Sequence, residues 1–259
     1  MGAGRVIAIT NQKGGVGKTT TAVNLCAGLA ALKKRALLID LDPQGNASSS
    51  SGYIHSDGAT IYDILCQNTD IMKSIKDTPE GFDLIPTIGN LTAAEIKLIN
   101  STRREKTLKY VIEPCLNHYE YIVIDCPPSL NILTVNALVA ANSVIIPVQC
   151  EYFALEGLAK LMRTIEQLKA SINTSLAIEG LLRTMYDGRN RLSHEVSEQI
   201  LEHFSGSVYE TIVPRNVRLA EAPSHGMSAL RYDQFCQGAI AYLALAAEVA
   251  KKTGAVHEF

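Results

Sequence analysis

The stretch Asn11-Gln12-Lys13-Gly14-Gly15-Val16-Gly17-Lys18-Thr19-Thr20 governs the interpretation of the whole chain. It follows a short apolar run at residues 6–9 and precedes a segment rich in helix-forming residues at 22–33. Strand, glycine-rich loop and helix is the order that a phosphate-binding loop requires. Glycines allow successive backbone N–H groups to surround an anion, and the helix N-terminus adds the positive end of its dipole. The stretch therefore predicts a phosphate site.

The two lysines of this loop are expected to have different partners. Lys18 is placed to reach the β- and γ-phosphates of a nucleotide, and the hydroxyl of Thr19 is placed to hold Mg²⁺. The loop departs from the common pattern G-x-x-x-x-G-K-[ST], because residue 12 is glutamine rather than glycine. It carries an additional lysine, Lys13, at its leading edge. An ammonium group at that position is unusual unless it also meets a phosphate.

Carboxylates end two further apolar runs. Asp40 and Asp42 close the run at 36–40, and Asp125 closes the run at 121–125. Such runs alternating with helices predict a mostly parallel sheet, in which ligands collect at the carboxyl ends of the strands. After a phosphate-binding loop, the three carboxylates are expected to serve Mg²⁺ and the attacking water. Taken in isolation, Asp40 and Asp42 are equally compatible with solvated charges at a strand end.

The predicted fold is a doubly wound α/β domain with about seven or eight strands. With 259 residues, 47% hydrophobic and 19% charged, the chain is able to bury a full core. We expect one domain spanning residues 1–259, because the sequence contains no repeat, low-complexity segment or long linker. Within it, residues 47–59 are predicted to form a loop and residues 103–117 an amphipathic helix. A last helix at 235–252 is predicted to bury Ile240, Leu243, Ala244 and Ala247.

Composition also bounds the setting of the protein. The six cysteines show no C-x-x-C spacing, which favours free thiols in a reducing cytosol. No signal peptide and no apolar run of membrane-spanning length is visible, so a cytoplasmic, soluble protein is expected. A net charge of −2 argues against a protein wholly devoted to nucleic acid, although a local basic face is compatible with it.

Four blocks of sequence together resemble the ParA/Soj partition proteins. These proteins belong to the deviant Walker A ATPases, a group that also includes MinD and the nitrogenase iron protein and shares the two-lysine loop. In order, the blocks are the loop at 13–20, Asp40-Leu41-Asp42-Pro43-Gln44-Gly45-Asn46, Asp125-Cys126-Pro127-Pro128-Ser129, and Pro214-Arg215-Asn216-Val217-Arg218-Leu219-Ala220-Glu221-Ala222-Pro223-Ser224. With two weaker similarities between them, the resemblance covers nearly the whole chain.

This resemblance implies an ATPase that uses ATP and Mg²⁺ and forms an ATP-dependent homodimer. The dimer would bind double-stranded DNA of the nucleoid without sequence preference, and a ParB-type partner would stimulate slow hydrolysis. Lys13 matches the lysine that reaches the ATP of the other subunit, Asp42 the residue that orients water, and Asp125 the Walker B aspartate. Pro214 and Asn216 match the segment that packs on adenine. The implied ligand residues are, for the nucleotide, Lys13, Gly14, Gly15, Val16, Gly17, Lys18, Thr19, Thr20, Pro214 and Asn216, and, for the metal, Thr19, Asp40 and Asp125.

The densest arginine grouping in the chain comprises Arg189, Arg191, Arg215 and Arg218. Nearby acidic residues make an ordinary mixed-charge surface an equal alternative on sequence grounds. The resemblance places DNA-contacting basic residues at positions matching Arg189 and Arg218, which favours a DNA surface. In a dimer this surface would be present twice, so the acidic balance of the chain is no objection.

Three relatives of the same superfamily supply alternatives. A MinD-like membrane ATPase would need a basic amphipathic helix at its C-terminus, whereas the last helix here has one basic pair and is followed by Val256-His257-Glu258-Phe259. An iron–sulfur reductase would need two cysteines placed to share a cluster between subunits, and only Cys126 lies near the expected site. An amide ligase that activates a carboxylate with ATP is the third alternative.

Overall fold

The computed structural model describes residues 4–53, 58–89 and 91–254. Eight strands form one sheet in the order β3-β4-β2-β5-β1-β6-β7-β8. The strands β3 and β4 pair antiparallel, and the other six pairings are parallel. The strands are β1 (Arg5–Ile9), β2 (Ala36–Asp40), β3 (Lys76–Asp77), β4 (Asp83–Ile85), β5 (Tyr121–Asp125), β6 (Ser143–Gln149), β7 (Ala177–Tyr186) and β8 (Val208–Pro214).

Helices cover both faces of the sheet. They are α1 (Lys18–Ala31), α2 (Asn46–Ser50), α3 (Ile61–Gln67), α4 (Ile71–Ser74), α5 (Leu91–Ile99), α6 (Thr107–Val111), α7 (Ile132–Ala140), α8 (Ala154–Ser171), α9 (Arg191–His203), α10 (Val217–Glu221), α11 (Ala229–Tyr232) and α12 (Gln237–Gly254). Two short 3₁₀ helices lie at Glu113–Asn117 and Ala222–His225.

The core has two layers, because alternate residues of each strand point to opposite faces. In β1, Val6 and Ala8 pack with helices α3 to α9, whereas Ile7 and Ile9 pack with α1, α2 and α12. The central strands are therefore buried on both faces, as their continuous apolar runs predict. The predicted doubly wound α/β class and the strand number are confirmed. Within the described residues, no helix combines the length and apolar character needed to cross a membrane.

Three sequence-based expectations about local structure are wrong. Residues 47–50, predicted to lie in a loop, belong to α2, because Ser48 is fixed by hydrogen bonds to β2 and to the segment after β4. Part of the predicted loop, residues 54–57, lies outside the described residues. The predicted helix at 103–117 is reduced to α6 and a 3₁₀ helix, since Pro114 lacks the N–H that a continuing helix needs.

The third wrong expectation concerns the buried face of α12. Ile240 and Leu243 are 49% and 40% exposed, whereas Tyr242, Leu245 and Val249 are buried. Alanines lie on all sides of α12, so the apolar pattern of its sequence does not single out one face. The contact with α1 decides which face of α12 is buried. The two helices approach so closely that a Cβ added to Gly28 would lie 2.8 Å from the Cβ of Ala246. The hydroxyls of Thr21 and Tyr242 are also 3.1 Å apart.

Candidate nucleotide-binding site

The loop between β1 and α1 has the conformation that a phosphate cradle needs. Gly15 and Gly17 have φ of +73° and +88°, values that favour glycine. Gly17 directly precedes the first residue of α1, so the loop delivers its backbone N–H groups at a helix N-terminus. Glycine spacing predicts this geometry from sequence.

Two polar side chains that the sequence analysis missed fix this loop to the sheet. The side-chain amide of Asn11 donates to the carbonyl of Pro147 at 2.7 Å, and its oxygen accepts from the backbone N–H of Lys13 at 3.0 Å. The hydroxyl of Thr184 in β7 donates to the carbonyl of Val16 at 2.8 Å. The only sequence signal for Asn11 is its position directly before the lysine.

Strand register brings the predicted carboxylates together beside the loop. Ile9 of β1 pairs with Asp125 of β5, and Asp125 pairs in turn with Asp40 of β2. Asp40 and Asp125 are fully buried, and Asp42 is 6% exposed. Lys18 is buried against the same group, so burial lowers its pKa while the charges of Asp125 and Asp42 oppose that change. The structure thus places the catalytic and metal candidates of the sequence analysis at one edge of the sheet.

Asp40 and Asp125 differ in their hydrogen bonds. One oxygen of Asp40 accepts from the backbone N–H and the hydroxyl of Ser48 at 2.7 and 2.6 Å. The other accepts from the backbone N–H of Asp42 at 3.2 Å. Among the residues that the structure describes, neither oxygen of Asp125 has a hydrogen-bond partner of normal geometry. A buried carboxylate without partners is costly, and a bound cation would remove that cost.

The pKa values of the two carboxyls reflect this difference. Burial raises the pKa of Asp40 to about 6 against the opposing hydrogen bonds from Ser48. Burial, followed by the charge of Asp40, raises the pKa of Asp125 well above its usual range, although the nearby hydroxyl of Thr19 lowers it somewhat. Asp125 is therefore the carboxyl with most to gain from a neighbouring cation.

These donors fit Mg²⁺ that is held jointly with a nucleotide. No three His, Cys, Asp or Glu side chains among the described residues are arranged to hold a metal ion by themselves. Mg²⁺ in phosphate sites typically keeps several waters and takes one or two carboxylates plus phosphate oxygens. Asp125 with the hydroxyl of Thr19 matches that requirement. Whether Asp40 is a ligand stays a prediction, since its hydrogen bonds already satisfy both of its oxygens.

Replacing Asp125 by asparagine is expected to stabilise the nucleotide-free protein. A carboxyl whose folded pKa lies above its unfolded value binds protons more tightly in the folded state, so stability falls as pH rises from about 4 through the folded pKa. Asp125→Asn removes that cost and should raise Tm at pH 7 by about 3 °C or more. The gain should shrink towards pH 4 in a thermal-unfolding series. Asp40→Asn, which loses an acceptor beside Ser48, should gain less, and a lower Tm for Asp125→Asn would contradict the assignment.

The two loop lysines have different environments. Lys18 is buried, and its ammonium group donates to the carbonyl of Lys13 at 3.1 Å. The side chain of Lys13 is 39% exposed and pairs with Glu151 at 2.6 Å. An ion pair at such exposure contributes little, on the order of 0.2–1 kcal/mol. Lys13 is therefore available to another anion, whereas Lys18 is held inside the site.

A cavity of about 180 Å³ adjoins the loop on the side of β7 and β8. Gly17 and Thr20 line one side of it, and Pro214, Asn216 and Leu219 line the other. The side chain of Asn216 accepts from the backbone N–H of Arg218 at 2.9 Å and so caps α10. The segment after β8, predicted from resemblance alone to pack on a base, is thus next to the loop. The cavity is mainly apolar, which suits an aromatic ring.

The arginine grouping lies after β7 and β8, but each of the two candidate DNA ligands is paired with an acid. Arg189 is almost fully exposed and bonds Asp187 at 3.0 and 3.1 Å. Arg218 pairs with Glu221 at 2.8 Å and with Asp233 at 3.4 Å. Neighbouring parallel strands place the two arginines at the same edge of the sheet. Their charge is therefore partly neutralised within the chain.

The comparisons with known proteins agree on one family. A family model described as an AAA domain matches residues 4–178. The Bacillus subtilis protein Soj, named a sporulation initiation inhibitor, is 53% identical over 249 residues, which are 95% of this chain and 98% of Soj. The chromosome partitioning protein ParA of Caulobacter vibrioides is 50% identical, covering 95% of this chain and 93% of ParA. Cobyrinic acid a,c-diamide synthase from Mycobacterium smegmatis, solved with ADP and magnesium, superimposes with a TM-score of 0.86 at 32% identity, covering 99% and 98% of the two chains.

These findings weigh against the three alternatives. The synthase shares the fold at 32% identity, whereas Soj and ParA share 53% and 50% over almost the same length. Cys126 is fully buried and burial raises its pKa, so its thiol is poorly placed to share a cluster with another subunit. The last turn of α12 carries only Lys251 and Lys252, and the segment 256–259, also used in judging the membrane alternative, lies outside the described residues.

The predicted resemblance is thus confirmed over nearly the full length. Its two-lysine loop, its strand-end carboxylates and its mostly parallel sheet are present together. The relatives of highest identity quoted above carry the names Soj and ParA. The chain belongs to the ParA/Soj family of chromosome-partitioning ATPases.

Proposed function

We propose that this chain is an ATP-dependent DNA-segregation ATPase whose ATP-bound dimer holds DNA and releases it after hydrolysis. One observation carries the proposal. A phosphate loop, a buried carboxylate that makes no hydrogen bond of normal geometry within the described residues, and an exposed second lysine meet at the ends of adjacent parallel strands. The first two form a nucleotide site within one subunit. The third gives that site a group directed outwards, as a composite site between two subunits would need.

Within one subunit, the backbone of residues 14–20 would hold the phosphates and Lys18 would neutralise them. Thr19 and Asp125 would hold Mg²⁺, which would supply positive charge that offsets the charge of the phosphates. Pro214 and Asn216 would pack on the base in the cavity beside Gly17. Asp40 would keep Asp42 and Ser48 in place through its three hydrogen bonds.

Asp42 would orient the attacking water. Its backbone N–H is fixed by Asp40, and one of its carboxylate oxygens accepts from the backbone N–H of Gln44 at 2.9 Å. The second oxygen is the one available to a water molecule. Asp42 also belongs to the group of charges that surrounds Lys18. This position suits a residue that acts on the chemical step rather than on binding.

Lys13 would contact the ATP that is bound by the second subunit and so couple dimerisation to nucleotide binding. Its side chain pairs with Glu151 of its own subunit. The phosphates of the partner's nucleotide carry more negative charge than the single carboxylate of Glu151, so they would attract this ammonium group more strongly. Dimerisation would therefore depend on ATP, and a ParB-type partner would act on the dimer by accelerating hydrolysis.

Mass measurement by size-exclusion chromatography with light scattering tests this proposal. We expect a monomer alone, a dimer with ATP and Mg²⁺, and binding of unrelated DNA duplexes by the dimer only. Nucleoid association in the cell would follow from that binding. A chain that stays monomeric with ATP and Mg²⁺, or a monomer that binds DNA as tightly as the dimer, would contradict it.

Arg189→Glu and Arg218→Glu are each expected to weaken DNA binding at all sequences alike, because phosphate contacts carry no sequence information. The slope of log affinity against log salt concentration is about −0.9 per phosphate neutralised. Losing one arginine from each subunit should therefore reduce the magnitude of this slope by about 1.8. Binding of the ATP dimer to unrelated duplexes would be titrated with salt. Asp187→Asn should strengthen binding, since Arg189 then loses its competing partner.

The matched control for this titration is Arg163→Glu, an equal change of charge at an exposed position on α8. It should leave the slope unchanged, and dimerisation and basal ATPase activity should survive in all variants. Unchanged affinity and slope in both the Arg189 and the Arg218 variants would assign these arginines to ordinary solvated surface.

A further inference from the structure

A groove of about 350 Å³ lies where α3, α5 and α6 meet. Its apolar lining includes buried Leu65 and Leu98 and half-buried Val111. Lys97 and Arg103 stand on its rim. None of its lining residues takes part in the nucleotide site described above. We refer to it as the α5–α6 groove.

The charge of this groove is positive, and no carboxylate in the described part of the chain neutralises it. The ammonium group of Lys97 lies 5.2 Å from the ring centre of Tyr62, and the guanidinium group of Arg103 lies 5.3 Å from that of Tyr110. Such contacts orient a cation without cancelling its charge. Within residues 4–53, 58–89 and 91–254, neither cation lies within ion-pair distance of a carboxylate. By contrast, the adjacent Arg104 pairs with Glu105 at 2.6 Å.

Two acidic side chains on the helices that form the groove are engaged elsewhere. Asp63 of α3 accepts from the backbone N–H and the hydroxyl of Thr60 at 2.8 and 2.9 Å, which caps its own helix. Glu95 of α5 accepts from the side chain of Asn131 at 2.7 Å. No acidic residue lines the groove among the described residues. A carboxylate brought by another molecule would therefore find two oriented cations without a competitor.

The floor of the groove is apolar. Leu65, Leu98 and Val111 line it together with Tyr110, which is 44% exposed on α6. An apolar cleft with an exposed aromatic side chain is typical of sites that receive side chains of another protein. Duplex DNA presents phosphates and would leave these residues unused. The combination of two free cations and an apolar floor matches a ligand that carries both carboxylates and apolar side chains.

We propose that the α5–α6 groove binds an acidic, amphipathic segment of another protein. Its apolar side chains would enter between Leu65, Leu98 and Val111. Its carboxylates would pair with Lys97 and Arg103. This proposal is independent of the nucleotide and DNA functions, because it uses a separate surface.

A labelled peptide tests the proposal directly. The probe is a fluorescein-labelled amphipathic peptide of about 20 residues with leucine on one face and glutamate on the other, which exceeds the length of about 12–15 residues below which isolated helices are marginal. The comparison peptide carries glutamine in place of every glutamate. Fluorescence anisotropy with the full chain should show saturable binding of the glutamate peptide, weakened by salt, and clearly weaker binding of the glutamine peptide.

Two double variants separate this groove from general positive charge. Lys97→Glu with Arg103→Glu should reduce affinity for the glutamate peptide by about tenfold or more, because both rim charges are reversed. Arg104→Glu with Lys169→Glu, an equal charge change at exposed positions outside the groove, should have little effect. All four side chains are exposed, and circular dichroism would verify that both proteins fold.

Several outcomes would overturn the proposal. These are absence of saturable peptide binding, equal binding of the two peptides, and equal losses in the two double variants. A larger loss of duplex DNA binding than of peptide binding in the Lys97 and Arg103 variant would assign the surface to nucleic acid. Loss of a self-association in that variant, seen by light scattering, would assign it to a second copy of the chain.

Discussion

Lys18→Ala is expected to abolish ATP binding. Lys18 is buried beside Asp42 and Asp125, and its ammonium group is held by the carbonyl of Lys13. Its removal takes away the main positive charge available to the phosphates. It also leaves the two carboxylates facing an incoming anion. Loss of one partner of a buried charge pair typically costs about 2–5 kcal/mol, so affinity should fall by at least about 30-fold.

The measurement is titration with ATP and Mg²⁺ by isothermal calorimetry. Lys13→Ala provides the contrasting variant, because its side chain is exposed and its partner is Glu151. It should bind ATP as a monomer with nearly normal affinity but fail to dimerise. Normal ATP-dependent dimerisation of Lys13→Ala would refute the role assigned to that lysine. Normal ATP affinity of Lys18→Ala would show that the phosphate loop is not part of the ATP-binding site.

Asp42→Ala is expected to stop hydrolysis while leaving binding intact. A group that orients or activates the attacking water typically contributes about 10²–10⁴-fold to the chemical step. The variant should therefore accumulate as an ATP-bound dimer that remains on DNA. Single-turnover hydrolysis measures the rate, and light scattering with a DNA-binding assay measures the trapped state.

Asp42→Asn is the conservative companion, since it keeps an acceptor for the backbone N–H of Gln44. It should fold as wild type does and should also be slow in hydrolysis. A loss of ATP affinity in both variants comparable with that of Lys18→Ala would place Asp42 among the binding residues instead. A normal hydrolysis rate in both variants would leave the water-orienting role to another group.

The sequence was most informative where one local cause dominates. The runs at 36–40 and 121–125 became strands with the predicted bounds, because a parallel strand covered on both faces must be apolar throughout. Local rules were less reliable for helices. They overlooked the effect of Pro114 on the predicted helix at 103–117. They also selected the wrong face of α12, whose alanines leave both faces able to pack.

For the site, the sequence by itself determined the phosphate loop, the strand-end carboxylates and the family resemblance. Glycines before Lys18 and aspartates after apolar runs are local signals, and parallel pairing brings strand ends together without further information. Only the tertiary structure decided what each of these groups touches. It distinguishes Asp125, which has no hydrogen bond of normal geometry among the described residues, from Asp40, which is held by Ser48. It likewise pairs Arg189 and Arg218 with acids, whereas Lys97 and Arg103 have no acidic partner within the described residues. The physical reason is that hydrogen bonds and ion pairs depend on distances of a few ångströms between distant parts of the chain, which residue type and spacing do not specify.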